Sequence, residues 1–270
     1  MEKKIYVVIP HYIITEEVAQ LARNAIRTFK ETSDCVIISC DDCSPYKDVG
    51  FLKEMSDVYI RNKKNLGFAA NCNVGFRWIM ENVKDDCYIV CSNNDIEVYE
   101  YWFDELKNAM DMFQGAMVGG LGYKSKVVEG MPIEMYRINP GSKFTARYVS
   151  IGGRLEDWMF PGGLWMSTKS FLNEIAEDKN GIKEVFDSGF QHGGYEDIDL
   201  FLRAINAGKR LVITPKMQYW HKEGATRFSE QEIGTQNIAE KHNLEYFLTK
   251  NNFNPHQNIL DFMKDERINY

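Results

Sequence analysis

Four short stretches carry residue types that could do chemistry. "CDDC" sets Asp41 and Asp42 at the end of the apolar run "CVIISC". "SNNDIEV", Ser92 to Val98, sets Asn93, Asn94 and Asp95 just past "CYIV". A carboxylate at a strand end can hold a hard cation such as magnesium or manganese. That cation can grip a diphosphate and neutralise its charge as it leaves. Asn and Asp are also ordinary turn residues, so a plain turn accounts for this stretch taken alone. "GGYEDIDL" opens an amphipathic helix with Glu196 and Asp197. Carboxylates there complement the helix dipole and cap free amides, or serve as a general base beside an acceptor hydroxyl. Gly193 and Gly194 would let a substrate approach the backbone, and Asp199 reads as a solvated helix position. His221 in "QYWHKEGAT" is the fourth element. A lone histidine is usually structural or exposed; as a metal ligand its imidazole favours manganese over magnesium.

The elements that must position these residues follow from apolar spacing. "KIYVVIP" reads as a buried strand ended by Pro10, followed by His11 and Tyr12. Val18, Leu21, Ala22, Ala25, Ile26 and Phe29 recur at three-four spacing, one face of a helix that Thr15 would cap. "CVIISC", "DVYI" and "CYIVC" are further short strands, with helices expected over Phe68 to Val83 and Tyr99 to Phe113. Strand and helix alternate over the first 120 residues, which implies a parallel sheet with helices on its faces. Ligands bind at the carboxyl ends of such strands, where His11, Tyr12, Asp41, Asp42 and Asn93 to Asp95 are expected. Residues 121–160 have weak periodicity and read as loops and mixed strands. Beyond them a helix starts near Lys169, another carries Ile198, Phe201, Leu202 and Ile205 toward Gly208, and "RLVIT" is a strand. Ser229 and Glu232 form a capping-box pair for a long C-terminal helix.

Composition narrows the function classes. The chain has 270 residues, 44% hydrophobic and 26% charged, with a net charge of −7. That balance argues against a nucleic-acid binder, which needs a basic footprint. No apolar run reaches the roughly 20 residues of a spanning helix, and the start lacks a signal-peptide pattern. The expectation is a cytoplasmic protein, soluble or peripheral to the membrane. The six cysteines sit mostly in apolar runs and read as free buried thiols, and "CDDC" lacks a partner pair for zinc. No G-x-S-x-G elbow, P-loop or G-x-G-x-x-G is present, which disfavours a hydrolase, an NTPase and a dinucleotide dehydrogenase. No linker is evident, so one compact unit over 1–270 is expected.

The ordered set of motifs resembles the family-2 glycosyltransferases of GT-A fold. "VVIPHY" matches the proline-aromatic turn, "IISCDDCS" the two-Asp strand end, and "NLGFAANCNVG" the N-x-G-F-A segment. "SNNDIEV" matches the N-x-D variant of the D-x-D motif, "FPGGLWMSTKSFL" the Gly-rich strand, and "YEDIDL" and "YWHKEGAT" the acidic helix start and closing histidine. The matches run in order over residues 5–226. The resemblance implies an α/β GT-A fold: a mostly parallel central sheet flanked by helices. It divides the chain into a nucleotide-sugar-binding half (1–120), an acceptor and catalytic half (121–226) and a C-terminal helical extension (227–270). Pro10 and Tyr12 would border the base and ribose pocket. Asp42, with Asp41 beside it, would accept from the nucleotide base. Asn65, Gly67 and Asn71 would line the donor cleft. Asn93 and Asn94 would lie at the nucleotide sugar, and Asp95 and His221 would hold a divalent metal, manganese or magnesium. Asp197 would be the catalytic base and Glu196 would bind the acceptor.

The implied reaction is metal-assisted transfer of a hexose or pentose from a nucleoside-diphosphate sugar to an acceptor hydroxyl, with inversion, in glycan biosynthesis. The acceptor could be a glycan, a lipid-linked glycan, a protein or a small molecule. Two alternatives stand beside it. A metal-dependent nucleotidyltransferase also gathers acids at strand ends, but "PHYIITEE" lacks a glycine-rich basic loop. A catalytically silent nucleotide-sugar-binding protein of the same fold would not need Asp95, Asp197 and His221 together.

Overall fold

The computed structural model describes residues 3–123, 146–147, 157–158, 162–226 and 233–251. The first half alternates strand and helix: β1 (Ile5–His11), α1 (Glu16–Thr32), β2 (Cys35–Asp41), α2 (Gly50–Met55), β3 (Val58–Arg61), α3 (Phe68–Asn82) and β4 (Tyr88–Ser92). Then come β5 (Ile96–Val98), α4 (Trp102–Phe113), β6 (Gly115–Tyr123), β7 (Ala146–Arg147), β8 (Asp157–Trp158) and β9 (Leu164–Thr168). The rest is α5 (Lys169–Ile175), β10 (Glu177–Lys179), β11 (Ile182–Glu184), α6 (Glu196–Asn206), β12 (Arg210–His221) and α7 (Ile233–Asn251).

Eight strands form one sheet in the order β3-β2-β1-β4-β9-β6-β12-β5. β1 and β4 are buried at every residue, and side chains alternate between two cores, as the pleat requires. Val7 and Ile9 face the α1, α2 and α4 side with Phe29 and Trp102; Tyr6 and Val8 face the α3, α5 and α6 side with Phe76 and Phe186. β3, β2, β1 and β4 are parallel, as the alternating pattern predicts. β9 enters antiparallel between β4 and β6, and β5 lies antiparallel on β12. The chain fills β3-β2-β1 outward and then returns to place β4 on the other flank of β1. That reversal is a topological switch point, where an open α/β sheet makes its ligand crevice.

Local signals set most boundaries. Thr15 caps α1, its Oγ1 accepting from the Val18 N–H at 3.3 Å. α4 starts at Trp102 rather than Tyr99, because Tyr101 takes a left-handed conformation (φ 65°) that interrupts the helix. β12 runs past Pro215 to His221, longer than "RLVIT" suggests. Pro215 has no N–H to donate, and the register to β6 shifts between Ile213 and Gln218. The expected Ser229–Glu232 capping box and nearly all of the 121–160 segment lie outside the described residues. All six cysteines are free thiols; burial pushes the Cys40 thiol well above its ordinary value. Among the described residues no helix is long and apolar enough to cross a membrane.

Candidate active site

Strand pairing gathers the site from segments far apart in sequence. β4 ends at Ser92, and Asn93 to Asp95 turn the chain into β5. β5 pairs with β12 so that Ile96 opposes His221, and the Lys222 N–H donates to the Asp95 carbonyl at 3.1 Å. This register sets His221 Nε2 3.1 Å from Asp95 Oδ1, although the two residues lie far apart along the chain. On the other flank Ser92 opposes Leu164 of β9, and the Asn93 N–H donates to the Gly163 carbonyl at 2.8 Å. His221 Nε2 also lies 3.4 Å from Asn93 Nδ2. Gly162 and Gly163 explain the Gly-Gly pair. A side chain at Gly163 would stand 2.8 Å from His221 Cε1, and one at Gly162 would collide with the Asp197 carboxylate. Two consecutive glycines thus let Asp197 pack on one residue and His221 on the next.

Those three residues fit a divalent cation. Asp95 is buried, and Asn93 Oδ1 is a buried oxygen without a hydrogen-bond partner among the described residues. A buried carbonyl left unmet costs about 1–3 kcal/mol, so it marks a place where a ligand or water belongs. Neighbouring ligands at about 2.1 Å from an octahedral cation stand about 3 Å apart, close to the separation of Asp95 Oδ1 and His221 Nε2. A carboxylate and an imidazole, with the Asn93 amide beside them, are a donor set that suits manganese.

The second strand end is a braced acid pair. Asp41 is fully buried and accepts from Ser44 N–H at 2.9 Å, from Tyr59 Oη at 2.8 Å and from the Arg61 guanidinium. Asp42 Oδ1 accepts from Asn62 Nδ2 at 2.9 Å and from the Leu66 N–H at 2.8 Å. Its Oδ2 accepts from the Gly67 N–H at 2.9 Å, a donor shared with Asn65 Oδ1. Burial pushes the Asp42 carboxyl above the ordinary carboxylate range, and the Leu66, Asn62 and Gly67 donors offset part of that rise. Asn71 is buried, donating to the Cys40 carbonyl at 2.8 Å and accepting from Asn62 at 2.9 Å. Both ends of its amide are engaged inside the protein. Asn65 is exposed, Asn94 and Tyr12 are half-buried, and Pro10 pairs with Cys40 inside the sheet. Tyr59, Arg61 and Asn62, the partners of the acid pair, carry no motif signal; only the strand register of β2 and β3 brings them there.

The loop before α6 is strained. His192, Gly193, Gly194 and Tyr195 all have positive φ: 55°, 151°, 112° and 71°. Two of the four are not glycine, and such conformations cost about 1–3 kcal/mol each. The loop packs on the donor-side turn: the Phe68 N–H donates to the His192 carbonyl at 3.0 Å, and a Cβ at Gly67 would stand 2.9 Å from the His192 nitrogen. Glu196 is buried, and its carboxylate accepts from the Gly194 N–H. Asp197, one residue on, is half-buried, and its Oδ1 accepts from the Ile198 N–H at 2.8 Å.

Asp199 corrects the expectation of a solvated position: it is fully buried. With Glu177 and Asp187 it forms a three-carboxylate cluster with the spacing of a metal cage. The Lys250 ammonium lies inside it, 2.8 Å from Glu177, 2.7 Å from Asp187 and 2.9 Å from Asp199. Arg203 adds a contact to Asp199 at 3.0 Å. Burial opposes the charge on Asp187, but Lys250, the Gly189 N–H and Tyr246 hold its carboxyl well below the usual range. An ammonium already fills the space a cation would take, so this cluster is a buried ion-pair network.

Comparison with known proteins places the chain among sugar-transferring enzymes. A sequence model described as glycosyl transferase family 2 matches residues 6–175. No curated protein matches the sequence. The fold is similar to a solved structure of S. aureus TarS, residues 1–349, at a TM-score of 0.56 and 11% identity, covering 98% of this chain and 75% of that one. It is also similar to GalNAc-T7, solved with UDP, GalNAc and Mn2+, at a TM-score of 0.57 and 14% identity. That match covers 97% of this chain and 53% of GalNAc-T7, so this chain spans about half of that neighbour's length.

Proposed function

The chain belongs to glycosyl transferase family 2 and is a glycosyltransferase of GT-A fold, and we propose that it moves a sugar from a nucleoside diphosphate to an acceptor hydroxyl with inversion. The observation that carries this reading is that Asp197 packs on Gly162 while His221, in contact with Asp95 and Asn93, packs on the adjoining Gly163. This supports Asp197 as a carboxylate base close to a cation-binding group near the switch point of the sheet.

Asn93, Asp95 and His221 would hold a divalent cation, which when bound would neutralise charge on the departing diphosphate. The acid pair shapes the nucleotide end. Asp41 fixes the end of β2 through Tyr59 and Arg61, and Asp42 holds the Leu66 and Gly67 turn while offering its remaining Oδ2 acceptor capacity to the base. Pro10, Tyr12, Asn65 and Asn94 border the same cleft. Asp197 takes the proton of the acceptor hydroxyl as its oxygen attacks the anomeric carbon. The bond from that carbon to the diphosphate oxygen breaks on the opposite face, which inverts the centre. Glu196 would bind the acceptor beside Asp197, its carboxylate held by the Gly194 N–H. GalNAc-T7, the structural neighbour solved with Mn2+, supports manganese as the first cation to test.

The reading is tested by screening nucleoside-diphosphate sugars for Mn2+-dependent thermal stabilisation, then for donor hydrolysis and transfer. Stabilisation with Mn2+ and inverted product are expected. Triphosphate binding with release of pyrophosphate would make the chain a nucleotidyltransferase instead.

A further inference from the structure

We propose that Asn243, on α7, is a positioning residue for the base: it pins the strained loop that delivers Asp197. The inference rests on the transferase reading above for its catalytic half and on geometry alone for its structural half. Asn243 is fully buried. Its Oδ1 accepts from the Gln191 N–H at 2.8 Å, and its Nδ2 donates to the Gln191 carbonyl at 2.8 Å and the Gly194 carbonyl at 3.0 Å, with Gly193 at 3.4 Å. One side chain thus holds both ends of the turn from Gln191 to Gly194, and positive φ runs from His192 to Tyr195.

Such a loop needs outside bonds, because a side-chain-bearing residue leaves the left-handed region when released. Gly194 is three residues before Asp197 and donates to Glu196. The same loop leans on the Gly67–Phe68 turn that Asp42 holds. Asn243 therefore braces a segment wedged between the nucleotide side and the base side of the site. α7 is itself anchored at two further points. Phe247 is buried with Phe190, Tyr195 and Leu202, and Lys250 is locked among Glu177, Asp187 and Asp199. Asp199 lies on α6 two residues beyond Asp197, so α7 grips the base-bearing helix on both sides of the base.

The test uses the full chain with Asn243→Ala and Asn243→Asp. Aspartate keeps the acceptor for Gln191 N–H but sets a carboxylate against three carbonyls. Amide hydrogen exchange over residues 191–197 should accelerate in both variants while β1 and β4 stay protected. A displaced base costs rate rather than affinity, so kcat should fall about 100-fold while the donor KM stays within about twofold. Phe29→Leu, which loosens the α1 face of the core, should lower the melting temperature and leave kcat unchanged. Unchanged exchange overturns the proposal, and so does faster exchange with wild-type kcat. Failure of both variants to fold also overturns it, since Asn243 would then serve the fold as a whole. If the wild type transfers no sugar, the transferase reading falls by itself. Exchange then still decides whether Asn243 holds the loop.

Discussion

Two acid-lined regions lie within one small protein and do opposite things. Glu177, Asp187 and Asp199 are three carboxylates with a metal's spacing, and Lys250 already satisfies all three. Asn93, Asp95 and His221 offer one carboxylate, yet among the described residues a buried amide oxygen is left unmet. The richer cluster is closed and the poorer one is open. What marks a ligand site is the bonding capacity left over after folding, and the number of acids does not measure it.

Substitutions in each region should separate them. The largest effect is expected at the base: Asp197→Asn should lower transfer about 1,000-fold while the donor still binds. Near-normal turnover in that variant would remove Asp197 from the role. Next, Lys250→Met should cost about 3 kcal/mol by leaving buried carboxylates unpaired, read as a lower urea midpoint. The same variant makes the closed region resemble the open one, because it empties the cage. Mn2+ or Ca2+ should then restore part of its stability, and a variant that ignores both cations would show that the cluster was never cage-like. A smaller effect should follow from Gly162→Ala. Its methyl must displace the Asp197 carboxylate, so kcat should fall with little change in fold, as circular dichroism beside turnover would show.

Acid should act on stability separately from these substitutions. Burial holds His11 neutral and lowers its pKa to about 3. The unfolded chain takes up a proton near pH 6.5 that the folded chain refuses, so stability should fall with pH between about 6.5 and 3, by up to about 1.4 kcal/mol per unit. The Asp187 network behaves in a lower window. Its depressed carboxyl adds stability above its ordinary value of 3.8, which is lost as pH falls below it. Denaturant midpoints measured from pH 7 to 3 should show the histidine slope first; His11→Gln should flatten it.

Much of the fold, and the residues of the candidate site, are legible in sequence, for physical reasons that differ by region. β1, β2 and β4 are continuous apolar runs because both faces are covered, and their polar ends announce the crevice. Asp95, Asp197 and His221 can be named from local motifs, and Gly162–Gly163 shows as a break. What the glycines face is not legible, because it depends on β9 running antiparallel beside β4. Asp199 misleads because helix-start acids are usually solvated, and its partner Lys250 is 51 residues away. Asn243 gives no signal at all, since an amide within a polar helix looks like any surface residue until its partners are known.

The most direct measurement is calorimetric titration of a nucleoside diphosphate, with and without Mn2+, into the wild type, Asp95→Ala and Lys250→Met. Binding should strengthen with Mn2+ in the wild type and in Lys250→Met, and Asp95→Ala should lose that gain, by about ten- to a hundredfold. If Asp95→Ala keeps the full Mn2+ effect while Lys250→Met loses it, the open and closed regions have been assigned the wrong way round.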